Sequence, residues 1–327
     1  MTSAVQTVHF VVPSDIDATP SGGNVYDRHV IDRLGIVGRV PAEHPVAGAW
    51  PHPSPADLDR LDQALAALPD RATVVVDGLI GSAAPAVLAR HQRLRLILLM
   101  HMPLSTPEEA AALRSVSAVV TTSQWTRRLV SSWYAYRGDR VHVAEPGVDA
   151  RPIHPGTAAG TQLICVAAVT PGKGQDILVD ALATLTDLEW TLDCAGPLDR
   201  DPAYVDALRK QIDAAGLTDR IVLGGVRTRW NGDLLCLASR GETYGMVIGE
   251  ALAQGMPVVA ADVGGVPEAL GRGGLLVPPD DPASFARAVR SWLTDPHVRA
   301  DLRTAALARR SSLTGWDETV RRFAAAL

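Results

Sequence analysis

The stretch SRGETYGMVIGEALAQGMPVVA, Ser239–Ala260, continued by DVGGVPE at Asp262–Glu268, decides how this chain is read. It runs as the end of a strand, a loop, a helix, a second strand and a glycine loop. Glu242 falls in the loop where the strand ends, and Glu250 projects from the helix that begins near Tyr244–Met246. In open α/β sheets ligands bind outside the carboxyl ends of the strands. The free N–H groups of a helix N-terminus carry about half a positive charge and favour phosphate or a sugar oxygen. A carboxylate accepts paired hydrogen bonds from vicinal hydroxyls, so Glu250 suits a ribose and Glu242 suits a transferred sugar. Two glutamates at this spacing also suit a helix that merely carries surface charge, so the neighbouring sequence has to decide.

Outward from this segment, short β-branched runs alternate with helical patterns along the whole chain, the layout of parallel sheets covered on both faces. The first half offers strands at Val8–Val12, Thr73–Asp77, Arg95–Met100, Ala118–Thr121 and Val141–Ala144. Leu58, Leu61, Leu65 and Leu68 recur at three- and four-residue steps between Pro55 and Pro69, which predicts a helix burying one face. Residues 151–160 are rich in Pro, Gly, Thr and Ala without apolar periodicity and read as a linker. Beyond it come strands at Leu163–Val169, Trp190–Cys194, Ile221–Leu223 and Leu234–Leu237, with helices after Gly174 and through Tyr204–Ala215. Asp281 and Pro282 supply an N-cap and a first-turn proline for a further amphipathic helix. The expected architecture is α/β: two Rossmann-like doubly wound domains, residues 1–155 and 156–314, facing a cleft, with a last helix at about 315–327 packing back on the first.

Composition fits this. The chain has 327 residues, 47% hydrophobic and 20% charged, and its mean hydropathy is +0.09, a globular balance long enough for two cores. Its apolar runs fall short of the roughly 20 residues that cross a bilayer, and no basic n-region precedes an apolar core, so a cytoplasmic protein without stable membrane insertion is expected. A net charge of −5 gives no overall attraction for nucleic acid. Cys165, Cys194 and Cys236 lie in apolar runs without zinc spacing, and the nine histidines form no ligand pair. No metal and no resident cofactor are expected.

Taken together, the pattern Glu-x-x-Gly-x-x-x-x-Glu-Ala from Glu242, GMPVVA from Gly255, GGVPE from Gly264 and GLLVPPDDP from Gly274 resembles the carboxylate motif of GT-B retaining glycosyltransferases, the group containing mannosyltransferases and sucrose synthase. VTPGKG at Val169–Gly174 resembles that family's diphosphate-binding turn, PSGGNVY at Pro20–Tyr26 its glycine-rich loop, and His101-Met102-Pro103 its histidine after a strand. The resemblance covers nearly the whole chain and is strongest from Leu163 to Pro282.

The resemblance implies Lys173, Glu242 and His101 as catalytic residues. It implies donor contacts from Gly22, Gly23, Gly225, Val226, Arg240, Thr243, Tyr244, Gly245, Met246 and Glu250. Transfer of a hexose from a UDP- or GDP-linked sugar with retention would follow, the leaving diphosphate itself helping to deprotonate a small soluble acceptor without a divalent ion. Two departures stand out. Most relatives carry a phosphate-binding arginine where this chain has Ala168, and Arg227, Arg229 and Arg240 are the candidates to replace it. From Gly225 to Glu242 there is room for only a stub of the helix that relatives place before the strand Leu234–Leu237. A nucleotide-sugar epimerase and a weakly active or non-catalytic binding protein are the alternatives. A dehydrogenase lacks its Gly-x-Gly-x-x-Gly turn and a serine hydrolase its Gly-x-Ser-x-Gly elbow.

Overall fold

The computed structural model describes residues 6–18 and 21–327. Pro20, which opens the glycine stretch, and the first five residues, on which the reading of the N-terminus rests, lie outside them. The chain divides into two units, residues 1–147 with 314–327, and residues 148–313.

In the first unit six strands form one parallel sheet: β1 Gln6–Pro13, β2 Arg39–Val46, β3 Thr73–Asp77, β4 Arg95–Met100, β5 Ala118–Thr121 and β6 Val141–Val143, in the order β2-β1-β3-β4-β5-β6. Val74, Val75 and Val76 of β3 and Leu96 to Met100 of β4 are at most 1% exposed, because helices cover both faces. β2 is missing from the sequence reading. Its Pro41 and Pro45 lack the ladder N–H, and the strand tolerates them because it is an edge, paired only with β1. The Pro55–Ala66 helix starts on a capping box in which Ser54 and Asp57 bond each other's backbone N–H, and it buries Leu61 and Leu65.

The Trp316–Phe323 helix completes this unit. Phe323 stacks on Phe10 with ring centroids 6.1 Å apart. Trp316 lies edge-on to Tyr26 and stacks on His29, and Thr319 donates to the Glu145 carbonyl at 2.8 Å.

The second unit holds β7 Gln162–Val166, β8 Thr191–Ala195, β9 Ile221–Gly225, β10 Leu234–Leu237, β11 Val258–Ala261 and β12 Gly274–Val277, in the order β12-β11-β10-β7-β8-β9. Read from β9, this is the 3-2-1-4-5-6 order of a dinucleotide-type sheet, whose direction of winding switches between β7 and β10. Its core joins Leu178 and Leu182 of the Gln175–Ala183 helix to Phe285, Val289 and Trp292 of the Pro282–Thr294 helix.

The stretch read as a linker is held to this unit. Buried Asp233 accepts from the Thr157 amide at 2.5 Å, the Thr157 hydroxyl at 2.6 Å and the Gln162 amide at 2.9 Å. Trp292 donates to the Gly160 carbonyl at 2.7 Å. A strap without helix or strand needs such partners for its backbone groups. The division between units accordingly falls at Gly147/Val148, ahead of the boundary drawn from Pro and Gly content. No helix or strand forms between β9 and β10, where residues 226–233 run as loop.

Candidate functional site

Two chain segments leave the second sheet at its switch point. After β7 the chain makes a single 3-10 turn, Pro171–Lys173, into Gly174, whose φ of +66° opens the Gln175–Ala183 helix. After β10 it makes the acidic turn 239–245 into the Met246–Ala253 helix. Gly245 caps that helix at φ +85°, a left-handed conformation that side chains with a Cβ avoid. The following glycine loop presses on the acidic turn so closely that a Cβ on Gly264 would collide with the Glu242 carbonyl.

This arrangement brings Lys173 and Glu242 together. The Lys173 Nζ lies 2.6 Å from Glu242 Oε1, with the two side chains 31% and 13% exposed. Ser239 Oγ donates to the same oxygen at 2.9 Å. Thr243, Tyr244, Gly245 and Met246 continue from Glu242 into the first turn of the helix, as the sequence order demands. Glu250, one turn further on, is held instead by Arg151, whose Nη2 is 3.0 Å away. Burial raises the Glu250 pKa, and Arg151 offsets this only in part.

Arg240 is taken up by its neighbours. It donates to both oxygens of Asp176 at 3.0 and 2.7 Å, to Asp280 at 2.8 Å and to the Pro171 carbonyl at 2.5 Å. Here it clamps the turn that carries Lys173. Arg227 pairs with Asp193 at 3.0 Å, and Arg229 is exposed. Gly225 and Val226 sit at the end of β9, which β7 and β8 separate from β10. At about 4.8 Å per strand that is roughly 14 Å across the sheet, and Val226 is 68% exposed. The three cysteines are free and buried.

In the first unit, Gly22 and Gly23 open the Gly22–Arg33 helix, which Ser21 caps by accepting from the Asn24 amide at 3.1 Å. The His101 ring lies against Gly23, where a Cβ would come 3.0 Å from Cδ2. Its Nε2 is 2.7 Å from Asp27 Oδ1. Asp27, Asp77 and His101 are the one group among the described residues whose carboxylate and imidazole atoms come close enough to share an ion, within 4.8 Å of one another. His101 and Asp27 already bond each other, and Asp77 Oδ1 accepts from the Leu79 and Ile80 amides at 2.8 and 3.4 Å. The residues that sequence reasoning missed are Asp27, Asp77, Arg151, Asp176 and Ser239. A separate cavity of about 320 Å³, lined by Arg114, Tyr134, Tyr136, Arg137 and Arg140, lies at the amino ends of β5 and β6 rather than at the carboxyl end of the sheet.

Two parallel Rossmann-like sheets, the second with a lysine–glutamate pair at its switch point, define the GT-B class of fold. Residues 160–295 match the family model of glycosyl transferases group 1. The D-inositol 3-phosphate glycosyltransferase of Jonesia denitrificans is 31% identical over 242 residues, which is 65% of this chain and 56% of that protein. Its counterpart in Streptomyces avermitilis is 33% identical over 248 residues, 65% of this chain and 53% of that protein. The chain thus spans about half the length of the curated relatives it matches. Among solved structures, a glycosyltransferase from Rickettsia africae superposes with a TM-score of 0.78 at 17% identity, covering 99% of this chain and 98% of that one. Anabaena Alr3699/HepE, solved with UDP and glucose, gives 0.76 at 22% identity, covering 97% and 98%. At these identities the likeness is one of fold.

Proposed function

We propose that the chain is a retaining glycosyltransferase that moves a hexose from a UDP- or GDP-linked donor to a small soluble acceptor, without a divalent ion. The observation that carries this reading is the Lys173–Glu242 pair, 2.6 Å apart, where β7 and β10 part at the sheet's switch point. With no ligand the two charges neutralise each other. A donor diphosphate entering there would draw Lys173 to itself and free Glu242 to accept from sugar hydroxyls, while the amides at the start of the Met246–Ala253 helix meet further oxygens. Glu250 takes the ribose in this reading, with Arg151 holding its carboxylate in place. The leaving diphosphate would then take the acceptor proton on the face it departs from, so rate comes from positioning and from charge stabilisation by Lys173.

Thermal unfolding in the presence of UDP, GDP, ADP and their glucose and mannose conjugates tests the donor site, because a ligand of the native state raises its stability. One base is expected to raise the midpoint, with and without EDTA alike. No shift with any of them sinks the reading, and a requirement for metal removes the ion-independent part of it. The anomeric configuration of the product, followed by NMR, tests retention.

A further inference from the structure

The cavity at the amino ends of β5 and β6 lies at the opposite end of the first sheet from Gly22, Gly23 and His101, and all its lining comes from the first unit. Two connections build it. The one from the Pro107–Leu113 helix into β5 gives Leu113, Arg114 and Val116, and the one from the Gln124–Trp133 helix into β6 gives Tyr134, Tyr136 and Arg140. Its volume of about 320 Å³ is at the lower end of the range that holds small organic ligands, about 300–1,000 Å³.

Both aromatic walls are fixed by the protein itself. The Tyr134 hydroxyl donates to the Glu109 carboxylate, and buried Glu109 also accepts from the Ser82 hydroxyl at 2.8 Å and the Leu104 amide at 3.0 Å. The Tyr136 hydroxyl donates to the Val116 carbonyl at 3.2 Å. Between the two tyrosines Ala135 takes a φ of +47°, a left-handed conformation uncommon for a residue with a Cβ, and both neighbours of this reversal line the one cavity. Burial holds both phenols above their ordinary pKa, so neither ring brings a negative charge. Buried Leu113 and Val116 add apolar surface. Walls already held in place spare a ligand the entropy of ordering them.

The lining carries arginines and no carboxylate. Arg137 is offset by Asp139, with contacts of 3.2 and 2.7 Å. Arg114 spends one Nη1 on the Ala110 carbonyl at 3.2 Å, and Arg140 meets the Tyr136 hydroxyl, so both have neutral partners. Two positive charges are left beside two neutral rings. A guanidinium has five N–H donors in a fork that matches phosphate, and a phosphate monoester carries about −1.5 to −2 charges at pH 7. We propose that this cavity is a second binding site, for a small aromatic phosphate whose ring lies against Tyr134, Tyr136, Leu113 and Val116 and whose phosphate lies on Arg114 and Arg140. The site stands on the first unit alone, whether or not the second takes a nucleotide sugar.

Titration calorimetry of the full chain with phenyl phosphate, phenol and inorganic phosphate decides the matter. Phenyl phosphate is expected to bind one per chain, at least about tenfold tighter than either fragment, because only it meets both the rings and the arginines. R114Q and R140Q are each expected to weaken it at least about tenfold, the loss of one charge-assisted contact. R209Q makes the same change in net charge at an exposed position of the second unit, and K173A alters the donor turn; both are expected to bind as the wild type does. No binding up to about 10 mM overturns the proposal, as does an affinity unmoved in R114Q and R140Q. Equal weakening in R209Q reduces the effect to net charge and overturns it, and loss in K173A moves the binding to the donor turn and does the same. Capture by phosphatidylcholine vesicles containing phosphatidic acid, lost in R114Q and R140Q while phenyl phosphate stays silent, overturns it in favour of a membrane surface.

Discussion

In the proposed function Lys173 is the residue on which donor binding turns. Removing one preorganised charge-stabilising donor typically costs on the order of 10²-fold in rate. Lys173→Ala is expected to lower kcat/KM by that order while leaving the unfolding midpoint nearly unchanged, because its partner Glu242 keeps the Ser239 hydrogen bond. Steady-state kinetics beside thermal unfolding check both parts. Asp77 gives a prediction of a different kind. Burial and then Asp27 push its pKa from 3.8 up to about 6, so the folded state holds a proton that the unfolded state releases earlier. This stability is present in full below about pH 4 and is lost as the pH rises through 6, to a total of about 3 kcal/mol. The amide oxygen that D77N introduces can still cap Leu79 and Ile80, so the wild-type minus D77N difference in urea-unfolding free energy is expected to fall by about that amount between pH 4 and 7. A flat difference contradicts it. The sequence made Lys173, Glu242 and His101 legible because each sits in a dense local motif. Asp27 and Asp77 stayed hidden because they lie fifty positions apart and only the strand order makes them neighbours.

Among elements, the strands of continuous Val, Ile and Leu were legible to within three residues, since runs this short and rich in β-branched residues favour a strand buried on both faces. β2 was not, because two prolines and alternating exposed residues hide an edge strand that owes its place to β1. The strap at residues 156–161 escaped for a related reason: its order comes from Asp233, Trp292 and Arg303, all distant in sequence. Asp233→Ala would leave the Thr157 and Gln162 amides without their acceptor. It is expected to cost at least about 2 kcal/mol by urea unfolding, given about 1–3 kcal/mol for each buried group left unsatisfied. A cost below about 0.5 kcal/mol would show that the strap finds other partners.

For the molecule as a whole, the fold class was readable from the alternation of strand and helix, and the family from one block of motifs in the second unit. The last helix, expected at about 315–327 to pack back on the first domain, shows in its own pattern only an apolar stripe of Trp316, Val320 and Phe323 that any core could take. In the structure they are at most 4% exposed within the first unit. Ending the chain at Leu313 is expected to unfold that unit at physiological temperature and spare the second. In calorimetry the wild-type trace should lose one transition and keep the one that a nucleotide diphosphate shifts upward. Retention of both transitions contradicts this.

The polypeptide passes from one unit to the other at Gly147/Val148 and returns at Leu313/Thr314. A protease that nicks either crossing therefore leaves the two halves joined by the other. During synthesis the first sheet is made early, yet it waits for Trp316 and Phe323 until every residue of the second unit has been translated. The second unit, contiguous in sequence, is free to close first, and the first must remain open beside it until the ribosome delivers its missing lid of aromatic side chains.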